Sequence, residues 1–367
     1  MTLHLVDRPD LPPCGVTPPH FGGSKKGGGS EKGGGGDITP ANPAPQASTP
    51  QAKAGKGKTD LYQSVTDSII AQLEAGAVPW VQPWGRPDSE TPFGLPTNGD
   101  TGNAYSGVNI LLLWGAAIET KRTTQTWLTY KQAKKLGGQV RKGETGTTIC
   151  YASSFVPKNE KLRAQENGTD AQSIGFLKKY TVFNADQCEG LDEDFFRHVA
   201  PLPEREAIPH AEKLIAATGA DFRVGGDRAF FAPHEDFIQV PPQQSFFEQI
   251  NYYRTCFHEL GHWTGHESRL DRNLKGNKGS KDYAREELVA EMATAFICAS
   301  LGIVPTVRHT DYLASWLRVL KEDKRAIFRA ASMASKAADY ILKFQTPEKA
   351  DAAALAAPQS LKMEIAA

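Results

Sequence analysis

The stretch "CFHELGHWTGH", residues 256–266, brings together His258, Glu259, His262 and His266. On a helix, His258 and His262 stand one turn apart on the same face, where both imidazoles can reach one ion. Glu259 is rotated about 100° from His258. In an H-E-x-x-H site that glutamate does not ligate; it takes the proton from an attacking water. Zn2+ is the expected ion, because it suits imidazole ligands and lowers the pKa of a coordinated water to about 7. The competing reading is a pair of ordinary histidines on a helix surface.

A catalytic zinc needs a third protein ligand. A histidine three residues after Gly265 would define one class of such enzymes, but position 268 is Ser268, which excludes it. His266 is close, yet it follows the glycine expected to end the helix. The better candidate lies on the next helical stretch, "DYAREELVAEMATAFICASLG", where Glu287 and Glu291 are one turn apart, away from Leu288, Met292 and Phe296. Glu287 is expected to ligate and Glu291 to orient a ligand histidine from behind. Glu286 is the alternative if the register slips by one, and Glu291 could instead be part of a solvated face.

These residues need elements to hold them. Ser245 and Glu248 have the spacing of a capping box before "FFEQINYYRTCFHELGHWTG", and Gly265 supplies a stop. Further helices are expected from near Tyr283 and Asp311, the last running through "YLASWLRVLKEDKRAIFRAASMASKAADYILKF". Just upstream, "RAFFAPHEDFIQVPP" reads as strand on both sides of Pro233, either an ordinary sheet strand or an edge on which an extended peptide pairs. Earlier, "DLYQSVTDSIIAQLEAG" repeats apolar residues at Leu61, Val65, Ile69 and Leu73, a helix ended by Gly76. Helical "TYKQAKKLGG" and strand-like "GTTICYASSF" and "KKYTVFNA" follow.

The expected organisation is therefore α+β. A Gly/Pro-rich disordered leader covers residues 1–57, an α+β unit 58–192 and a connector 193–209. A mainly helical unit with a small sheet occupies 210–346, before a frayed tail at 347–367. The chain has 367 residues, enough for two ordinary domains. Its 42 basic and 42 acidic residues cancel, so a charged partner must be sought in local charge. Five scattered cysteines without a C-x-x-C pair read as free thiols in a reducing compartment. The lack of a signal segment and of a long apolar run points to a cytoplasmic chain with no membrane partner.

Local charge is present. From Lys121 to Arg163 there are ten Lys/Arg against Glu144 and Glu160. "WLTYKQAKKLGGQVRKGE" interleaves Trp127 and Tyr130 with Lys131, Lys134, Lys135, Arg141 and Lys142; Trp80, Trp84 and Tyr105 lie upstream. Cations along a groove with aromatic faces are how single-stranded nucleic acid is held without sequence readout. The competing reading keeps the tryptophans in the core and the lysines on a solvated face.

"NGDTGNAYSGVNILLLW", "WLTYKQAKKLGGQVRKGETG" and "LKKYTVFNADQCEGL" resemble the N-terminal single-stranded-DNA-binding domain of ArdC-type antirestriction proteins. "FHELGHWTGHESRLDR", "YAREELVAEMATAFICASLGI" and "YLASWLRVLKEDKRAIFRAASMASKAADYI" resemble that family's zincin-like metallopeptidase domain. The resemblance spans residues 58–345 and implies a single-stranded-DNA-binding domain followed by a gluzincin-like zinc site. His258, Glu259 and His262 carry over directly, and Glu287 falls on the helix of the third ligand. It implies a role in protecting incoming plasmid DNA during conjugation, with a restriction-system component as a possible protein substrate. The rival function is a DNA-coating protein that protects by occupancy around a structural or vestigial metal site. Related N-terminal domains occur on plasmid primases, but no primase catalytic region is visible in the sequence.

Overall fold

The computed structural model describes residues 60–81, 94–167, 169–196, 204–304 and 312–345, and the backbone of Leu3 and His4. The rest of the expected leader, Trp84 and the expected tail lie outside the described residues. Strand β1 (Leu3–His4) comes first, then α1 (Leu61–Glu74), β2 (Thr97–Asn98), α2 (Val108–Glu119), β3 (Thr126–Leu128) and α3 (Tyr130–Lys135). Next are β4 (Gln139–Val140), β5 (Thr147–Phe155), α4 (Lys158–Asn167), β6 (Ile174–Asn184) and β7 (Cys188–Glu189). The second half contains α5 (Glu204–Ala217), β8 (Asp221–Val224), β9 (Arg228–Ala232), β10 (Phe237–Val240) and α6 (Gln249–Trp263). It ends with α7 (Lys281–Ser300), α8 (Leu313–Glu322) and α9 (Ala326–Leu342). The architecture is α+β.

Two four-stranded sheets form, ordered β2-β3-β6-β5 and β1-β9-β10-β8. The long β5–β6 pair is antiparallel, from Thr147 opposite Val182 to Phe155 opposite Ile174. The outer edge of β9 is paired antiparallel with β1, Leu3 opposite Ala229 and His4 opposite Arg228.

Local chemistry explains the helix ends. The Asp60 carboxylate accepts the Tyr62 backbone N–H at 3.0 Å and caps α1, whose Val65, Ile69 and Leu73 are buried. The capping box expected before α6 does not form. Ser245 ends a short 3-10 turn, and Glu248 takes the N-cap position without a side-chain cap bond. Helix α6 ends at Trp263, one residue ahead of its C-cap Thr264. Helix α5 begins at Glu204, inside the stretch expected as a connector, because "EREA" favours helix, and Pro209 is carried within it. The last expected helix is two. Asp323 leaves helical geometry and its carboxylate accepts the Arg325 N–H at 2.9 Å, separating α8 from α9.

A continuous core joins the two halves. Ile69, Leu73, Trp80, Leu111 and Trp114 share it with Phe257, Leu288, Phe296, Trp316 and Ile327. Trp80 meets Trp316 edge to face at 5.5 Å, and the Thr66 hydroxyl donates to the Lys324 carbonyl at 2.8 Å. A smaller cluster of Leu113, Ala117, Trp127, Ile149 and Val182 holds α2 against the first sheet. Cys150, Cys188, Cys256 and Cys298 are buried, and none of them is in a disulfide.

Candidate metal centre and nucleic-acid surface

Helices α6 and α7 pack side by side in the interior. Their approach depends on Gly261, where a Cβ would sit 3.3 Å from the Ala290 Cα and 3.4 Å from its Cβ. A larger residue would push α7 away, and with it Glu287. The two Nε2 atoms of His258 and His262 are 3.2 Å apart. Each lies 3.5 Å from a Glu287 carboxylate oxygen. Donors placed 2.0–2.1 Å from a zinc ion at tetrahedral angles have edges of about 3.3 Å. His258, His262 and Glu287 are the group of potential ligands that meets this test among the described residues. His266 is not brought in: its Nδ1 contacts the Ser268 hydroxyl at 2.8 Å, and its ring packs against Phe231.

Each of the two imidazoles has a carboxylate behind it. Glu286 lies 3.2 Å from His262 Nδ1, and Glu291 lies 3.8 Å from His258 Nδ1. Such partners hold the Nδ1–H tautomer and leave Nε2 for a metal. Glu286, which the sequence offers only as a slipped ligand, thus backs a histidine, and it is itself anchored by Arg272. That guanidinium donates to both Glu286 oxygens at 2.6 and 3.0 Å, to the Gly261 carbonyl at 2.6 Å and to the Thr264 hydroxyl at 2.8 Å. Gly265 permits this, since a Cβ there would lie 2.9 Å from an Arg272 nitrogen. No spacing rule links Arg272 to the motif, so sequence reasoning misses it.

The electrostatics are those of a cation site. Burial opposes charge on His258, but Glu287 and Glu291 outweigh it and its pKa is raised. Burial likewise opposes charge on His262, and Glu286 and Glu287 overcome it, taking its pKa to about 10. Glu287 lies well below the usual carboxylate range: burial acts against its charge, and the two histidines prevail. Glu259, fully buried, is pushed up by desolvation. Neither the Glu259 nor the Glu287 carboxylate has a hydrogen-bond partner, although both are 0% exposed. Buried carboxylates without donors are costly, and a divalent cation between them and the imidazoles removes that cost for Glu287. The donor set therefore fits a metal. A cavity of about 680 Å³ lies alongside, lined by Phe231, Pro233, His234, His266, Arg272 and Tyr283.

The residues expected at a nucleic-acid surface divide. Trp80 and Trp127 are 0% exposed and cannot stack on a base; Trp80 packs on Trp316 in the large core and Trp127 between α2 and the first sheet, and that corrects the expectation. Arg141 is committed to Glu144 and to the Cys188 and Asp186 carbonyls, a brace at β4–β7 more than a free cation. Tyr105 is half-buried, with its hydroxyl accepting from Asn98 at 3.3 Å. Tyr130 is 48% exposed, with Lys134 Nζ 5.4 Å from its ring centre. Lys131 and Lys142 are exposed, while Lys135 pairs with Asp100 at 2.7 Å.

A buried H-E-x-x-H helix and a glutamate-bearing second helix, behind an α+β half with a locally basic stretch, define a zincin-like domain. Residues 209–333 match the zincin-like metallopeptidase family, and residues 59–183 match the N-terminal domain of the anti-restriction factor ArdC. The chain belongs to the ArdC antirestriction family. It is similar to the ArdC protein of plasmid R388, 42% identical, in a metal-free structure (TM-score 0.65, covering 78% of this chain and 97% of that one). A Mn(II)-bound structure of the same protein matches with TM-score 0.64, covering 78% and 98%. It is also 40% identical over 288 residues to the uncharacterized protein y4eC of Sinorhizobium fredii, covering 77% of this chain and 92% of that protein. The Escherichia coli DNA primase TraC is 40% identical over 308 residues; they cover 78% of this chain and 27% of the primase. No described helix is long and apolar enough to cross a membrane.

Proposed function

We propose that this chain binds single-stranded DNA through its first half and hydrolyses peptide bonds at a Zn2+ site in its second, protecting incoming plasmid DNA during conjugative transfer. The observation that carries the peptidase part is the meeting of His258, His262 and Glu287 beside the unpartnered carboxylate of Glu259. When bound, a divalent cation supplies Lewis-acid polarisation of a carbonyl and a lowered water pKa. Glu259 is the general base that takes the water's proton and returns it to the leaving amine. Glu286 and Glu291 keep the two imidazoles oriented. The extended peptide pairs with the outer edge of β9 at residues 230–232, past the two residues that β1 takes. A component of a restriction system fits as the protein substrate.

The reading of the first half rests on its excess of exposed lysines around Tyr130 and on the family it belongs to. One observation favours the rival: His258, Glu259, His262 and Glu287 are all buried, as in a site that serves structure while protection comes from DNA coating. Glu259→Gln separates the two. Zinc content and single-stranded-DNA binding are expected to survive, and proteolysis to fall at least about a hundredfold. Conjugation into a restricting recipient should fall with it; transfer at the wild-type level would leave the coating account standing.

A further inference from the structure

The β5–β6 pair carries two aromatic rings that the core does not use. Tyr151 is 52% exposed and Tyr180 is 46% exposed. In an antiparallel pair, opposed residues share a face, and so do residues two apart along a strand. Tyr151 opposes Lys178, and Ile149 opposes Tyr180. Ile149, Tyr151, Lys178 and Tyr180 therefore stand on one face, with the tyrosines as diagonal neighbours. Their centroids are 6.1 Å apart and their planes cross at 84°. An edge-to-face pair leaves ring surface open to a third planar group.

The platform is rigid at its base. Asn109 on α2 grips the backbone of the adjoining residue on both sides: its amide donates to the Cys150 carbonyl and its oxygen accepts the Cys150 N–H, each at 2.8 Å. That satisfies the edge of β5 beside Tyr151. Inward along the same face, Ile149 and Val182 are buried against α2. Inner residues of this face are thus core, while two tyrosines and a lysine are exposed outward of them among the described side chains.

We propose that Tyr151 and Tyr180, with Lys178 beside them, form a base-stacking platform for single-stranded DNA. The proposal rests on the single-stranded-DNA reading above and names its contact surface. Nucleic acid is favoured over a protein partner because Lys178 stands on the tyrosine face and the stretch from Lys121 to Arg163, which includes β5, carries ten Lys/Arg against Glu144 and Glu160. An unpaired base offers a planar face to each ring and a phosphate to the lysine, and such stacking is tolerant of sequence.

The test uses the full chain and a fluorescein-labelled oligothymidine of about 15 nucleotides, followed by anisotropy at fixed salt. The double variant Tyr151→Ala with Tyr180→Ala is expected to weaken binding at least about tenfold, the result of losing two stacked bases. Tyr151→Phe with Tyr180→Phe is expected to bind as the wild type does, since the ring and not the hydroxyl makes the contact. Photo-crosslinking of a 5-iodouracil oligonucleotide to the wild type gives a second readout that needs no variant, and adducts are expected on Tyr151 or Tyr180. Unchanged affinity in the alanine variant, or adducts only elsewhere, would overturn the platform while leaving single-stranded-DNA binding intact; a protein-docking patch would give this result. A wild type with no affinity for the oligonucleotide would overturn both.

Discussion

Arg272→Met removes the anchor of the metal site while keeping a chain of similar length. The Arg272 side chain is 4% exposed and makes four hydrogen bonds, two of them to Glu286. Deleting one partner of a buried ion pair costs roughly 3–5 kcal/mol, because the other charge stays buried. Burial works against the charged form of Glu286, and His262 and Arg272 together keep its pKa below the usual range. Without the guanidinium the carboxylate is free to turn away from His262 Nδ1, and loss of such an outer partner weakens metal binding about 10- to 100-fold. Urea unfolding of the metal-free protein and zinc titration against a chromophoric chelator measure the two effects separately. Arg272→Lys keeps the charge without the fork and should fall between. A large stability loss with unchanged zinc affinity would refute the positioning role, and no loss in either would refute the network.

Three further outcomes are expected. In the same zinc titration, Glu287→Ala should sharply weaken binding and His266→Ala should leave it nearly intact; the reverse order would overturn the ligand assignment. The His262 pKa rises from 6.5 to about 10 on folding, so the protonated imidazole stabilises the metal-free protein fully below pH 6.5, and that contribution is lost as pH climbs towards 10. Zinc should therefore release protons at pH 7, seen as calorimetric heats that vary with buffer ionisation enthalpy, and buffer-independent heats would contradict this. Trp127→Ala should lower stability by about 3–5 kcal/mol, as a buried ring does, and lose DNA affinity only as it unfolds; a stably folded variant with selectively weakened DNA binding would restore the stacking reading of Trp127.

The geometry of the candidate metal site was more legible than that of the candidate DNA surface, for a physical reason. His258 and His262 are local to one helix, so spacing alone puts them together, and Glu287 follows from a second helix of the same kind. The closeness of those helices depends on Gly261 against Ala290, a pairing that no linear pattern reveals. Glu286 was ambiguous because α7 is buried almost all round, so its glutamates could not be divided by face. Tyr151 and Tyr180 were passed over because their exposure is set by where α2 ends on the sheet. Trp80 and Trp127 misled for the converse reason: composition shows that an aromatic is present but not whether it faces the core. The capping box at Ser245 failed because the chain makes a separate turn there before Gln249.

The central claim is the three-residue metal centre, and anomalous diffraction at the zinc edge from zinc-loaded crystals tests it most directly. One peak per chain is expected, about 2.0–2.2 Å from His258 Nε2, His262 Nε2 and a Glu287 oxygen, with Glu259 beyond bonding distance. A peak held by His266 or by Glu259, or none between α6 and α7, would contradict it.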